Sequence, residues 1–291
     1  MNFNHLGLKK LICTCYAGSP ISQTEFDDLP LFAQLKENEK LPYLIQITEV
    51  PDMNGDGATD LTDIELLLKS DNNILTALDG NGDFRSQESI EFLEEADIVV
   101  TNPPFSLFRE YLNQLVEYGK KFIIIGNTNA LSYKEVFRLF QIDGIRTGYT
   151  NFNVGMFFQV PDDWTKYTKI ENGKKMARVS TSCWFTNLPV DRHNDELVCY
   201  ETYTPEKYPK YDNYDAINVD NYAKIPKDYD GVMGVPITFL DKYNPNQFEI
   251  IDINPHFFTI VSKGLPKPKQ LTLHNVGRRD PYARILIRRK Q

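Results

Sequence analysis

The chain has 291 residues, 41% of them hydrophobic, and a formal net charge of -8, enough for one large domain or two ordinary ones with a real core. No window approaches the roughly 18 uninterrupted apolar residues of a membrane span, and the opening MNFNHLGLKKLICTCY lacks the order of a secretory signal, so no membrane partner and a cytoplasmic location are expected. The negative charge excludes a surface that is basic throughout, although Arg278, Arg279, Arg284, Arg288, Arg289 and Lys290 crowd one C-terminal span, readable as a DNA-facing patch or as a solvated terminal strand.

From residue 8 to 150, short β-rich runs alternate with helical periodicity, which predicts an α/β domain with a largely parallel sheet. The predicted strands are 8–16 (LKKLICTCY), 43–50 (YLIQITEV), 74–78 (ILTAL), 97–102 (DIVVTN) and 121–128 (KFIIIGNT). SQESIEFLEEA and PFSLFREYLNQLVEYG read as helices. In the second, Phe105, Phe108, Leu112, Leu115 and Val116 recur at three- and four-residue steps, and Pro104 suits a first helical turn. Cys13, Cys15, Cys183 and Cys199 form no C-x-x-C pair and read as reduced, structural thiols. After Gly144 the runs IRTGYT, VGMFFQV and ARVSTSCWFTNL follow without helices, as an antiparallel hairpin closing the sheet edge would. Beyond residue 188 the chain is rich in Tyr, Asp, Asn, Lys and Pro, too aromatic for disorder yet without a clear helix, and reads as a second, irregular region.

One loop, DMNGDGATDLTD, matches a calcium-loop template at Asp52, Asn54, Asp56, Gly57, Asp60 and Asp63, with an Asp where a bidentate Glu usually closes it and helical LTDIELLLKS following. It occurs once and a strand, not a helix, precedes it. A solvated tight turn is therefore the favoured reading, and no metal is expected.

The stretch DIVVTNPPFSLF, residues 97–108, carries the chemistry. Ligands of open α/β sheets sit beyond the carboxyl ends of the strands, which is where Asn102 is expected, at the tip of a buried strand. Pro103 and Pro104 fix φ and remove N–H donors, so the loop offers carbonyl acceptors, the Asn102 side chain adds another, and Phe105 supplies a ring face. An exocyclic amino group on a nucleobase presents two donors beside a flat ring and satisfies that set. Acceptors on both hydrogens return lone-pair density to the nitrogen, and reaching it requires flipping the base out of the duplex. The plain alternative is a strand-ending turn with Phe105 in the core.

The combination GNGDFRSQESIEFLEEADIVVTNPPFSLFREYLNQLVEYGKKFIIIGN, followed by PKYDNYDAINV and DYDGVMGVPITFL, resembles the EcoRI-type adenine-specific DNA methyltransferases. The resemblance implies a Rossmann-like S-adenosylmethionine-dependent methyltransferase sheet, a catalytic core over 1–188 and a DNA target-recognition region over 189–291. It also implies methyl transfer to N6 of a flipped adenine in double-stranded DNA, as in restriction-modification. By motif, Asn102 and Pro103 hold the amine, Pro104 shapes the loop and Phe105 stacks on the base. Asp83 binds the cofactor's adenine amino group, Phe84 packs on that ring, and Tyr16 and Phe108 are further cofactor contacts. Lys174, Lys175, Arg178, Arg278 and Arg279 are expected phosphate partners. No catalytic histidine is expected, since His5, His193, His256 and His274 are scattered.

Relative to the family pattern, the chain is expected to be N-terminally shortened. A first strand with its cofactor-binding turn and an FYTQ-like segment are missing from it, the strand end at Cys15 and Tyr16 has no acidic residue for the ribose, and weak or absent cofactor binding follows. The missing strand would lie between the strand at 8–16 and the one ending at Asn102, depriving each of a ladder partner. Two other functions remain open at this point: a methyltransferase acting on a side-chain amide or other free amine, and a catalytically impaired relic that retains DNA binding.

Overall fold

The computed structural model describes residues 3–19, 41–70, 74–149, 155–211, 214–253 and 284–290. The chain packs as two compact units, Met1–Asp97 and Ile98–Gln291. The expected functional boundary at 188/189 falls inside the second.

In the first unit β1 (Leu11–Cys15), β2 (Tyr43–Ile47) and β3 (Leu75–Ala77) form a sheet in the order β1-β2-β3. Both pairings are antiparallel, with Leu11 opposite Ile47 and Tyr43 opposite Ala77. This corrects the expected parallel arrangement: a β-branched run marks a strand, but the path of the connection sets its direction. Phe3, Tyr43, Ile45, Ile47, Val50, Leu68 and Leu75 make the core beneath α1 (Leu61–Ser70). The second helix, α2 (Gln87–Glu95), starts where the Ser86 hydroxyl accepts the Ser89 N–H at 3.2 Å, a cap worth about 1 kcal/mol. The Glu88 carboxylate accepts the N–H groups of Asp79 (3.1 Å) and Gly80 (3.2 Å), fastening the preceding turn to the helix.

In the second unit β4 (Ile98–Thr101) and β5 (Lys121–Asn127) run parallel, connected through α3 (Phe108–Glu117). After α4 (Lys134–Gln141) and β6 (Arg146–Thr147), a later strand, Ser182–Thr186, lies antiparallel to both β5 and β6. That strand is β10 in chain order, and the sheet order is β4-β5-β10-β6. An antiparallel strand after Gly144 was expected; β4 as an edge strand was not. Ile98 is 49% and Val100 65% exposed, so Asn102 ends an edge strand rather than a buried one. Among the described residues β1 and β4 are edge strands of their sheets, as are β3 and β6.

Phe108, Leu112 and Leu115 of α3 are buried, as are Phe122 and Ile124 of β5, Phe185 of β10, and Val136, Phe137 and Phe140 of α4, and the Phe108 ring meets that of Phe185. The predicted stripe fails at Phe105 and Val116, which are 41% and 43% exposed. A 3-10 turn at Phe105–Leu107 shifts the register before the α-helix begins, turning Phe105 outward.

The run ARVSTSCWFTNL splits between two sheets. β7 (Met156–Gln159), β8 (Lys169–Glu171) and β9 (Lys174–Val179) form an antiparallel sheet in the order β7-β9-β8, separate from β10. The β8–β9 connection is the two-residue turn Asn172-Gly173, with φ of 50° and 76°, the left-handed pair that tight hairpins require.

The region beyond residue 188 is not irregular. β11 (Ile217–Asn218), β12 (Met233–Pro236), β13 (Phe248–Ile253) and β14 (Arg284–Arg289) form a sheet in the order β11-β12-β14-β13, with Ile217, Met233, Val235, Phe248, Ile285 and Ile287 buried. Its strands are short and distant in sequence, so no window carried their period. No helix among the described residues is long and apolar enough to cross a membrane. The four cysteines are free, and burial pushes the Cys183 thiol far up.

Candidate active site

The Asn-Pro-Pro-Phe corner leaves the carboxyl end of β4. Asn102 is exposed, Pro103 is buried as an anchor, and Pro104 (φ -56°, ψ 125°) turns the chain into the 3-10 turn. The Leu107 N–H donates to the Pro104 carbonyl at 2.9 Å, which removes one of the acceptors expected from the loop. The acceptors that remain are the Asn102 carboxamide oxygen and the Pro103 carbonyl, neither occupied by a hydrogen bond among the described residues. Phe105 stands one step on with its ring accessible.

Packing, not hydrogen bonding, stiffens this corner. The Phe108 and Phe185 rings lie 5.0 Å apart, and a Cβ placed on Gly126 would come within 2.4 Å of Phe108 and 2.8 Å of Phe185. Phe108, expected to touch the cofactor, is 1% exposed and is a core residue; the register shift that frees Phe105 is what buries it. Because β4 and β5 are parallel, the same rim carries the end of β5, where Asn127 accepts the Asn129 N–H at 2.9 Å, and the Thr128 N–H donates to Thr181 at 2.6 Å. Beside the corner Arg109 lies over the Tyr133 ring at 5.2 Å, a contact that needed the fold to be seen.

In the first unit, the Gly-Asp-Phe turn packs on the end of β1. The Ala17 N–H donates to Asn81 at 3.1 Å, and Gly82 (φ 75°) sits so close that a Cβ would meet the Cys15 carbonyl at 2.8 Å and Tyr16 Cα at 3.1 Å. Tyr16, Asp83 and Phe84 are therefore brought to one strand end. Asp83 accepts from Arg85 Nε at 2.8 Å, Nη2 at 2.7 Å and the Arg85 N–H at 2.9 Å. The Arg85 side chain, then its backbone N–H, hold the Asp83 carboxyl down at about 2. The guanidinium also lies 5.2 Å over the Phe84 ring. The turn thus holds an ionised carboxylate beside an aromatic ring, both engaged by Arg85, with Oδ2 of Asp83 accepting a single hydrogen bond and keeping room for another. Those are the donor-accepting and stacking elements an adenosine moiety needs, so the residues present fit the expected cofactor once the guanidinium leaves the ring.

The calcium-template loop spends its carboxylates on its own backbone. Asp52 accepts the N–H groups of Gly55 (2.7 Å), Asp56 (3.2 Å) and Gly57 (2.8 Å), and Asp56 accepts that of Ala58 at 2.9 Å. Asp60 takes the Thr62 N–H at 2.8 Å, and Asn54 takes that of Asp56 at 2.9 Å. Asp63, the would-be closing ligand, is buried and accepts from the N–H groups of Asp60 (2.8 Å), Met53 (2.8 Å) and Asn54 (3.3 Å), that of Asp60 foremost in holding its carboxyl below the usual range. No group of three metal-ligating side chains is gathered among the described residues. The loop is a self-bonded turn.

Of the expected phosphate partners, Lys174 and Arg178 point to one face of β9 by strand alternation and Lys175 to the other. Lys175 Nζ donates to the carbonyls of Asp162 and Trp164 and lies 5.1 Å over the Tyr167 ring, so it is a structural cation. Arg278 and Arg279 lie outside the described residues. Their neighbours are committed internally: Arg284 donates to Val219 at 2.8 Å, Arg288 pairs with Glu249, and Arg289 donates to Pro226 at 3.3 Å. His193 is buried between the Tyr243 and Thr147 carbonyls at 2.7 and 3.0 Å, which occupy both ring nitrogens.

The family model for "Adenine-specific methyltransferase EcoRI" matches residues 1–290. The chain belongs to the EcoRI family of adenine-specific methyltransferases. It is 41% identical to the type II methyltransferase M.EcoRI of Escherichia coli, an alignment covering 100% of this chain and 80% of that protein. It is also 41% identical to M.MgeORF184P of Mycoplasma genitalium, over 74% of this chain and 72% of the relative, and 38% identical to M.MpnI of Mycoplasma pneumoniae, over 74% and 70%. No solved structure matches significantly. Membership in the EcoRI family makes the chain an enzyme, an adenine-specific methyltransferase among relatives of restriction-modification type. The side-chain-amide and relic alternatives are not favoured by it.

Proposed function

We propose that the chain transfers a methyl group from S-adenosylmethionine to N6 of an adenine flipped out of double-stranded DNA. The observation that carries this reading is the Asn102 corner: two unoccupied acceptors, the Asn102 carboxamide and the Pro103 carbonyl, beside the exposed ring of Phe105 in a chain of the EcoRI family. The cofactor, when bound, supplies a methyl carbon activated by a sulfonium leaving group. Tyr16, Asp83 and Phe84 hold its adenosine end, the ionised Asp83 accepting from the amino group.

Asn102 and Pro103 accept the two N6 hydrogens, which draws the nitrogen towards tetrahedral geometry and restores its lone pair. The corner would hold that nitrogen with its lone pair available for the methyl group, and one N6 proton would leave to water. Phe105 stacks on the extruded base, offsetting part of the few kcal/mol of unstacking with about 1–3 kcal/mol. Positioning of this kind supplies on the order of 7 kcal/mol without a covalent enzyme intermediate. The parallel β4–β5 pair, with the corner beyond its carboxyl end, supports a Rossmann-like sheet over the catalytic core, and residues 189–291 are assigned to target recognition.

The test is incorporation of labelled methyl groups into adenine-containing duplex, read as N6-methyladenine in the digested nucleosides. Wild-type chain is expected to label adenine and Asn102→Ala to label it at least about 100-fold more slowly. Label on another base, or an unimpaired Asn102→Ala, would overturn the assignment.

A further inference from the structure

The β7-β9-β8 sheet carries five cations against three carboxylates over residues 155–179, in a chain whose net charge is -8. Its charge is segregated by face. Phe157 lies opposite Arg178, Gln159 and Lys169 opposite Met176, and Glu171 opposite Lys174, so strand alternation puts Phe157, Gln159, Lys169, Glu171, Lys174, Met176 and Arg178 on one side. Lys169 Nζ sits 4.3 Å from the Phe157 ring centroid, which confirms that shared side. The other face presents Met156, Phe158, Ile170, Ala177 and Val179, with Lys175 folded down onto backbone carbonyls at its edge.

The cationic face is open: Lys169, Lys174 and Arg178 are exposed and Phe157 is 36% exposed. Lys169 is partly satisfied by Glu171 at 3.1 Å, whereas Lys174 has no ion pair among the described residues. The root of the sheet is fixed at the rim that bears the catalytic corner. Thr181, just beyond β9, accepts the Thr128 N–H at the carboxyl end of β5, and a Cβ on Gly155, just before β7, would meet Ser180 at 2.8 Å. The sheet therefore springs from the rim that carries the end of β5.

We propose that the Phe157, Lys169, Lys174 and Arg178 face of this sheet is a docking surface for duplex DNA, with Lys174 and Arg178 on phosphates, Phe157 beside Arg178, and Met176 and Gln159 level with the gap between the two cations. Along β9 these two cations are about 13 Å apart, the length of roughly four base-pair rises. The inference rests on the reading that duplex DNA is the substrate. It adds Lys169, which the sequence reading passed over, and removes Lys175.

The experiment measures affinity for a fluorescent duplex as a function of salt, with wild type, K169Q/K174Q/R178Q, each single variant, and Lys175→Gln from the opposite face. The triple variant is expected to bind about tenfold or more weakly, with the slope of log affinity against log salt reduced by about 2 to 3. Its S-adenosylmethionine affinity by calorimetry and its turnover at saturating DNA are expected to be unchanged. The exposed single variants, checked by thermal unfolding, carry the test if the triple variant misfolds. A wild-type slope in the triple or in all three singles, an equal loss in Lys175→Gln, or no duplex binding by wild type would each overturn the proposal. If duplex binding follows this face but no adenine is labelled, the docking surface stands and the methylation reading fails; if adenine is labelled and the face is inert, the reverse holds.

Discussion

The Asn-Pro-Pro-Phe corner and the Asn-Gly-Asp-Phe turn end on the same kind of residue yet are built by opposite means. The corner contains no charge; a buried proline and the Phe108–Phe185 contact under Gly126 hold it, and Asn102 is exposed. The turn is held by hydrogen bonds and charge, with Arg85 clamped on Asp83 and Glu88 on the preceding N–H groups. An uncharged corner leaves an amine neutral and nucleophilic, whereas an ionised turn suits a ligand that donates hydrogen bonds. The difference makes one loop sensitive to packing and the other to pH.

The strongest way to break this contrast is Asn102→Ala, which removes an acceptor without touching the packing: turnover is expected to fall about 100-fold or more while S-adenosylmethionine affinity and unfolding stay put. Next is Gly126→Ala. Its Cβ would intrude on two buried rings, so urea unfolding should show a loss of about 1–3 kcal/mol. Gly82→Ala tests the other loop. At φ 75° a side chain costs about 1–2 kcal/mol, and the new Cβ would press on the Cys15 carbonyl, so cofactor affinity measured by calorimetry should weaken.

A smaller effect comes from acid. The Asp83 carboxyl is lowered from 3.8 to about 2 in the folded chain. Its stabilising contribution is therefore full above 3.8 and is lost as the pH falls through about 2. The stability difference between wild type and Asp83→Asn, followed by urea unfolding, should shrink over that window; a pH-independent difference would contradict the clamp. At the bottom of the scale, titrating calcium into the chain should release no heat from the Asp52–Asp63 loop, because Asp63 is already bonded to three N–H groups.

Strand positions up to residue 128 were legible because short β-rich runs have a local cause, whereas the short, scattered strands beyond residue 188 were not. Strand directions were not, since β1 and β2 pair antiparallel through a connection that no run encodes. Asn102, Pro103 and Phe105 were found from types and spacing, and their exposure followed from a 3-10 turn that helical periodicity averaged away, along with the burial of Phe108. Lys175 and Lys169 show the same limit from another side. Both are cations in β-rich sequence, and only the register of β8 on β9 decides which one faces outward. The edge position of β4 likewise depends on partners, not on its own four residues.

The Asn172-Gly173 turn at the tip of the basic sheet has a consequence for shelf life. Glycine leaves the following backbone nitrogen unhindered, so the exposed carboxamide is prone to cyclise and hydrolyse to aspartate or isoaspartate. Each such event sets a new anion next to Lys174, and aged preparations are expected to lose grip on polyanions while their cofactor chemistry is spared.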